Sequence, residues 1–260
     1  MSNFVSPTKT DSDNDLSFDF DHDENNNENV VNGHLSRRLY RIISIEGNIG
    51  SGKTTLLNNL KEIYKSSERV IFVPEPVDDW AEVKDKDGVT MLEKFYADQH
   101  RWGFSFQIMA YISRLTLLRN TIKKHPNSII ITERSLYTDK YVFAKMLFEQ
   151  GKIEDVNYQI YKRWFYAFID EVPLEKVIYV KTDPTICYSR IAKRSRQGES
   201  VIPLAYLDEC HTYHEKMLDR TSESVCCNDQ LILDGNKDIY ENANYLNEMI
   251  EQVKSYIVST

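Results

Sequence analysis

Long apolar runs are missing from this chain of 260 residues. None approaches the ~20 consecutive residues that a membrane-spanning helix needs, so no membrane partner is expected. Cysteine is scarce as well. Cys187, Cys210 and the adjacent Cys226 and Cys227 show no metal-site spacing, which suits a reduced, cytoplasmic protein better than a disulfide scaffold. Nor is there a surplus of basic charge. The net charge is −8, and residues 1–36 alone carry −7, because Asp11, Asp13, Asp15, Asp19, Asp21, Asp23, Glu24 and Glu28 stand against Lys9 only. The remainder is near neutral, which argues against a duplex nucleic-acid surface, so no nucleic-acid partner is expected. The acidic stretch is rich in Asn and Ser and cannot bury a core. Residues 1–37 therefore read as a disordered tail ahead of one domain at 38–260. The tail is too acidic for a mitochondrial transit peptide and lacks an apolar secretory segment.

Glycine is the last scarcity, nine in all, and yet three fall close together. Gly47-Asn48-Ile49-Gly50-Ser51-Gly52-Lys53-Thr54 is a complete G-x-x-x-x-G-K-[ST] phosphate loop, with Thr55 behind it. In a chain so poor in glycine, chance produces this pattern roughly once in several hundred proteins. It follows an apolar run, Arg41 to Ile45, and precedes a helical pattern, Thr54 to Lys65, whose stripe is Leu56, Leu57, Leu60, Ile63 and Tyr64. Phosphate binding requires a strand to deliver the loop and a helix to begin within it. Exposed N–H groups and the positive end of the helix dipole then converge on the anion. The motif predicts a bound nucleoside triphosphate.

The element order supports that setting. Strands are expected at 69–73, 128–132, 176–181 and 231–233. Residues 76–98 read as loop-rich, and a long helix runs from about Asp98 to Lys124, stopped by His125-Pro126. Two helices broken at Gly151 follow the third strand. Asp183-Pro184 opens a further helix as N-cap and first residue, and a final helix closes the chain. Apolar strands alternating with helices imply an α/β fold with a parallel sheet covered on both faces. Ligands in such sheets bind beyond the carboxyl ends of the strands, where the phosphate loop, Glu75 and Glu133-Arg134 all fall.

Switches, motors and kinases share the loop, and three features bear on the choice. Glu75, between Pro74 and Pro76, can take a proton from an attacking hydroxyl, or can be a solvated loop acid. As a base it would repel an acceptor that already carries phosphate. In Glu133-Arg134-Ser135 the acid can hold Mg²⁺ and the arginine can neutralise a transferring phosphoryl group, although Glu-Arg is also a common exposed dipeptide. Arg190 and Arg194 share a helix face, and the basic segment through Arg196 to Glu199 can close over phosphates as a lid or stay a solvated face.

With these segments assembled, the chain resembles the deoxynucleoside kinase family, the group containing deoxycytidine, deoxyguanosine and deoxyadenosine kinases. The resemblance runs from about Tyr40 to the last helix. It rests on ordered motifs: Gly47 to Thr55, Glu75-Pro76-Val77-Asp78-Asp79-Trp80, Phe106-Gln107, Glu133-Arg134-Ser135, and the Arg-rich segment ending in Ile202-Pro203-Leu204-Ala205-Tyr206-Leu207. It implies a P-loop kinase with a five-stranded parallel sheet and an Arg-rich lid, a homodimer that uses ATP and Mg²⁺, and nucleotide salvage as its task. By resemblance Glu75 is the base for the 5′-hydroxyl, and Arg134 steadies that oxygen and the incoming phosphate. Lys53 bridges the β- and γ-phosphates, while Thr54 and Glu133 hold Mg²⁺. Tyr96 and Glu199 bond the 3′-hydroxyl, Trp80 and Phe143 pack on the base, and Gln107 pairs with its edge. Arg190, Arg194 and Arg196 approach the ATP phosphates or adenine, as does the backbone around Asp234, Gly235 and Asn236. One departure is visible: the family often has two adjacent acids in the lid, and here Gly198 replaces the first, leaving Glu199.

Arg114 lies two turns beyond Gln107 on one helix face, and Asp139 lies six residues after Glu133. In the resembled family a matching Arg/Asp pair lines the base pocket of members that accept deoxycytidine or purine deoxynucleosides. A charged pair loses hydration against a thymine methyl without gaining bonds. Deoxyadenosine, deoxyguanosine and deoxycytidine are therefore favoured over thymidine, unranked; a structural salt bridge flanking the pocket is the alternative for the pair. Two rival functions stand beside the kinase reading: a nucleoside monophosphate kinase, and a non-catalytic nucleotide-binding protein.

Overall fold

Short runs of isoleucine and valine, too brief for helices, become the strands of one parallel sheet. The computed structural model describes residues 39–194, 202–222, 225–237, 239 and 243–259, so the expected tail lies outside the described residues. Strands β1 (Arg41–Glu46), β2 (Val70–Val73), β3 (Ile129–Glu133), β4 (Lys176–Lys181) and β5 (Gln230–Asp234) pair in the order β2-β3-β1-β4-β5, all parallel. From the central β1 the chain goes first to one side and then to the other. The phosphate loop therefore leaves the sheet where the connections diverge, the ligand position of open α/β sheets.

Alternation along β1 sends side chains to two cores. Ile42 joins a cluster with Phe106, Tyr111, Leu115 and Phe165, carried by helices α4 (Gln99–Lys124) and α7 (Asp155–Phe168). Ile43 and Ile45 pack on the opposite face against Leu57 and Leu60 of α1 (Lys53–Ile63) and Met249 and Val253 of α10 (Ala243–Val258). Both faces are covered, as the continuous apolar strands demand. Ile63 is 44% exposed, so the stripe of α1 is narrower than its sequence pattern suggested.

The stretch after Pro76 departs from the loop expected there. It holds α2 (Val77–Glu82) and α3 (Met91–Ala97). A capping box opens α3, in which the Thr90 hydroxyl accepts from Glu93 N and the Glu93 carboxylate accepts from Thr90 N. The long helix begins at Gln99 with Asp98 as its N-cap, the carboxylate accepting from Arg101 N at 3.1 Å. After β3 come a helical turn α5 (Leu136–Thr138), a π-helical segment Asp139–Ala144 and α6 (Lys145–Glu149). Helix α8 (Pro184–Arg194) starts at the expected Asp183 cap, whose carboxylate accepts from Thr185 N. Helix α9 (Leu204–Leu218) was not expected. Its buried positions Tyr206, Leu207, Cys210, His214, Met217 and Leu218 have helical spacing, but tyrosine and histidine dilute the apolar signal. Among the described residues no helix is long and apolar enough to cross a membrane.

Candidate active site

Backbone conformation shapes one half of the site. Gly47 sits at φ 144°, and a Cβ there would lie 2.6 Å from the Val180 carbonyl oxygen, so only glycine lets the loop turn against β4. Gly52, at φ 105°, is the N-cap from which α1 starts. The loop is tied down from outside: Asn48 Nδ2 donates to the Leu207 carbonyl of α9 at 2.8 Å, and Thr182 Oγ1 donates to the Ser51 carbonyl at 3.1 Å. Arg190 of α8 spans loop and sheet edge, donating to the carbonyls of Ser51 (3.3 Å) and Gly235 (2.8 Å). Lys53 is buried and donates to the Asn48 carbonyl at 2.7 Å. Burial, helped by the Arg134 charge, lowers its pKa to about 8. The Ser51 hydroxyl is buried with no partner among the described residues. An unsatisfied hydroxyl, an ammonium and a helix N-terminus at one loop fit a polyphosphate. Thr54 Oγ1 donates to Glu133 Oε1 at 2.7 Å, an all-oxygen pair suited to a hard divalent cation. The described residues hold no cluster of three or more His, Cys, Asp or Glu able to take a metal. A magnesium ion shared with phosphates needs no such cage.

Charged side chains shape the other half. Glu75 follows β2, and its Oε1 lies 3.1 Å from Arg134 Nε and 3.2 Å from Arg114 Nη2. Its Oε2 carries no hydrogen bond from the described residues. Burial alone would raise this carboxyl, but Arg134, Arg114 and Lys53 overcome it and hold Glu75 below its ordinary value. Arg134 is the only described non-glycine residue with positive φ, at 64°. Such strain costs about 1–3 kcal/mol and is retained where geometry demands it. Here it aims Nη1 at the Gly47 carbonyl (2.9 Å) and sets the guanidinium carbon 5.0 Å from the centre of the Phe143 ring. Arg134 therefore joins the two halves. Arg114 is 1% exposed and fully engaged, with Nε on Asp139 Oδ2 (2.9 Å) and Nη1 on the Glu133 carbonyl (2.6 Å). Burial pushes Asp139 up, although Arg114 beside it pulls the other way.

Both halves open on one cavity of about 410 Å³. Of the predicted residues, Ile49 to Thr55, Glu75, Trp80, Tyr96, Gln107, Glu133, Arg134, Asp139, Phe143, Arg190, Arg194 and Asp234 line it. Gly47 and Asn48 are not on the wall; their carbonyls accept from Arg134 and Lys53. Arg114 stands behind Asp139 rather than on the wall. Asn236 turns its Oδ1 to Asp183 N at 2.7 Å, bracing the turn after β5. Arg196 and Glu199 lie outside the described residues. The Trp80 indole is fixed by donation to Ser113 Oγ at 2.8 Å and stands edge-on to Phe106. Gln107 is buried on the wall, its amide unengaged by the described residues. The π-helical segment carries both Asp139 and Phe143 to the cavity, a frequent use of such segments.

Sequence reasoning passed over Phe95, Ala110, Lys193, Tyr206 and Lys237, which also line the cavity. Ala110 carried a legible signal, one turn beyond Gln107 on the same face. Lys193 sits in the basic stretch beside Arg194. Tyr206 falls in the motif that ends at Leu207 and Lys237 follows Asn236, but with α9 not expected and only backbone contacts expected after β5, neither side chain was assigned to the cavity.

The sequence model of the deoxynucleoside kinase family matches residues 43–258. Deoxycytidine kinase 2 of Gallus gallus is 33% identical over 246 residues, spanning 84% of this chain and 91% of that protein. Human deoxycytidine kinase is 34% identical over 240 residues, 83% of this chain and 90% of the relative. Human mitochondrial thymidine kinase 2 is 36% identical over 179 residues, 68% of this chain and 64% of the relative.

Proposed function

The chain belongs to the deoxynucleoside kinase family, and from that premise we propose that it transfers the γ-phosphate of ATP to the 5′-hydroxyl of a deoxynucleoside, accepting deoxyadenosine, deoxyguanosine or deoxycytidine in preference to thymidine. The observation that carries this reading is Glu75: its Oε1 is held by two arginines while no described residue bonds its Oε2, on a cavity whose other wall is the phosphate loop. In this reading the loop N–H groups, Lys53 and Arg190 bind the triphosphate. Trp80 and Phe143 enclose the base, and Gln107 pairs with its edge. Glu75 Oε2 takes the proton as the 5′-oxygen bonds to the γ-phosphorus, and the bond from that phosphorus to the β–γ bridging oxygen breaks to release ADP. Arg134 neutralises the charge that develops between the two reactants. Thr54 and Glu133 would hold Mg²⁺, which would supply charge neutralisation to the triphosphate.

A low-pKa carboxylate is a weak base, but it suits a loose transition state in which the hydroxyl loses its proton late. The same carboxylate disfavours an acceptor that already bears phosphate. A coupled ADP-release assay over the four deoxynucleosides and their monophosphates tests the proposal. Turnover is expected on deoxynucleosides alone, with thymidine the poorest, and Glu75→Gln should lower kcat by about 10²–10⁴ while ATP still binds. Turnover on monophosphates only, or a strong thymidine preference, would overturn the respective part. A homodimer belongs to the proposal too. Val156, Ile160 and Trp164 stand one turn apart on α7, exposed at 64%, 40% and 48%, an apolar strip that a second copy would cover. Sedimentation at the mass of a single chain would remove that part.

A further inference from the structure

Arg134 has a partner that the kinase mechanism does not use. His214, on the last turns of α9, is fully buried, with Nε2 3.4 Å from Arg134 Nη1 and Nδ1 2.7 Å from the Cys210 carbonyl one turn earlier. Only one tautomer serves both contacts: Nδ1 carries the proton and donates to Cys210, and Nε2 accepts from the guanidinium. Burial and the Arg134 charge hold the imidazole well below its ordinary pKa, in agreement with a neutral ring. Two aromatic rings flank the imidazole. It lies parallel to Tyr179, with centroids 6.5 Å apart and planes 7° apart, and Phe143 meets it edge-on at 6.3 Å. Tyr179 is itself fixed, its hydroxyl donating to Glu215 at 2.7 Å, and Glu215 also accepts from Lys181 at 2.5 Å.

We propose that His214 is a positioning residue for phosphoryl transfer, its Nε2 holding Arg134 in the strained conformation that faces Glu75 and the phosphate loop together. Arg134 Nη1 already donates to the Gly47 carbonyl at 2.9 Å, and His214 Nε2 adds a second fixed acceptor at the same nitrogen, so the guanidinium is held at two points while it faces Glu75. His214 provides that acceptor from α9, the helix that also places Tyr206 on the cavity wall and anchors Asn48 of the phosphate loop at Leu207. The inference rests on the reading that gives Arg134 its role at the transferring phosphate.

The test compares variants of the full chain. His214→Phe keeps a ring between Tyr179 and Phe143 but offers no acceptor. His214→Gln sets a carbonyl oxygen near the place of Nε2, and His214→Asn reaches only the place of Nδ1. His214→Phe is expected to lower kcat about 10- to 100-fold with the KM for ATP and Tm little changed, the effect of losing one bond to a charged group. His214→Gln should restore most of the loss. A wild-type kcat in His214→Phe, or equal losses in Phe and Gln, would overturn the proposal. If His214→Phe does not fold, His214→Gln must exceed His214→Asn about tenfold in kcat, and equality overturns it. A wild-type chain inactive on every deoxynucleoside would instead sink the kinase reading.

Discussion

The two halves of the cavity are made by opposite means. The phosphate-binding half is largely backbone from one continuous segment, in which glycines supply the turns and a helix N-terminus supplies the field. The half that would receive the acceptor is side chains: Glu75 after β2, Arg114 and Gln107 from α4, Arg134 after β3, and Asp139 and Phe143 from the π-helical segment. Backbone N–H groups are fixed as soon as the loop folds. Buried charges have no such independence, because each arginine here is held by the carboxylates it neutralises, and removing one leaves another uncompensated. The first half is a local structure, whereas the second exists only as a set.

Breaking one member of the set should therefore have the largest effect. Arg114→Met strands Asp139 and loosens Glu75, and should cost about 3–5 kcal/mol of stability by denaturant titration, together with most of the turnover. Removing the stranded acid as well, in Arg114→Met/Asp139→Leu, should recover much of the stability but not the activity. Additive losses in the double variant would refute the idea of a unit. On the other side, Gly47→Ala forces a side chain into a φ of 144° against the Val180 carbonyl. The strain of about 1–3 kcal/mol should appear as roughly 5- to 150-fold weaker ATP binding by calorimetry, with the Glu75–Arg114–Asp139 network undisturbed. A variant that binds ATP normally would show the loop to be less constrained than its geometry.

A smaller change sharpens the division. Trp80→Phe removes the bond to Ser113, worth about 0.5–1.5 kcal/mol, and should raise the KM for the deoxynucleoside while leaving that for ATP alone. Equal changes in both constants would mean that the halves are not separable. The smallest effect is on pH. Because the flanking arginines hold Glu75 below 4.5, the acid limb of kcat/KM should fall below that value. The associated stability is present above pH 4.5 and fades as pH drops through the lowered folded value. An acid limb at or above 4.5 would show that the arginines do not control this carboxyl.

Legibility follows the same division. Strands, the phosphate loop and the long helix could be read because apolar period and glycine spacing are local signals. Helices α2 and α3 were hidden in a polar stretch of two short pieces, although Thr90 and Glu93 spell the capping box. Helix α9 was hidden by its own tyrosines and histidines, and with it went His214, the place of Tyr206 on the cavity wall and the anchor of Asn48 at Leu207. Arg114 was found from its place on α4, but its position behind Asp139, bonded to Glu75 and to the Glu133 carbonyl, was not visible in spacing.

What the chain of residues determined alone was the parallel α/β sheet, the phosphate loop and the family resemblance, since each depends on neighbours a few positions apart. Tertiary structure decided that Arg134 adopts a left-handed conformation, that two arginines meet on one oxygen of Glu75 while no described residue bonds the other, and that a histidine from an unforeseen helix stands beside Arg134. Those facts depend on which buried charges face each other across residues far apart in sequence, and at such separations only packing determines which groups meet.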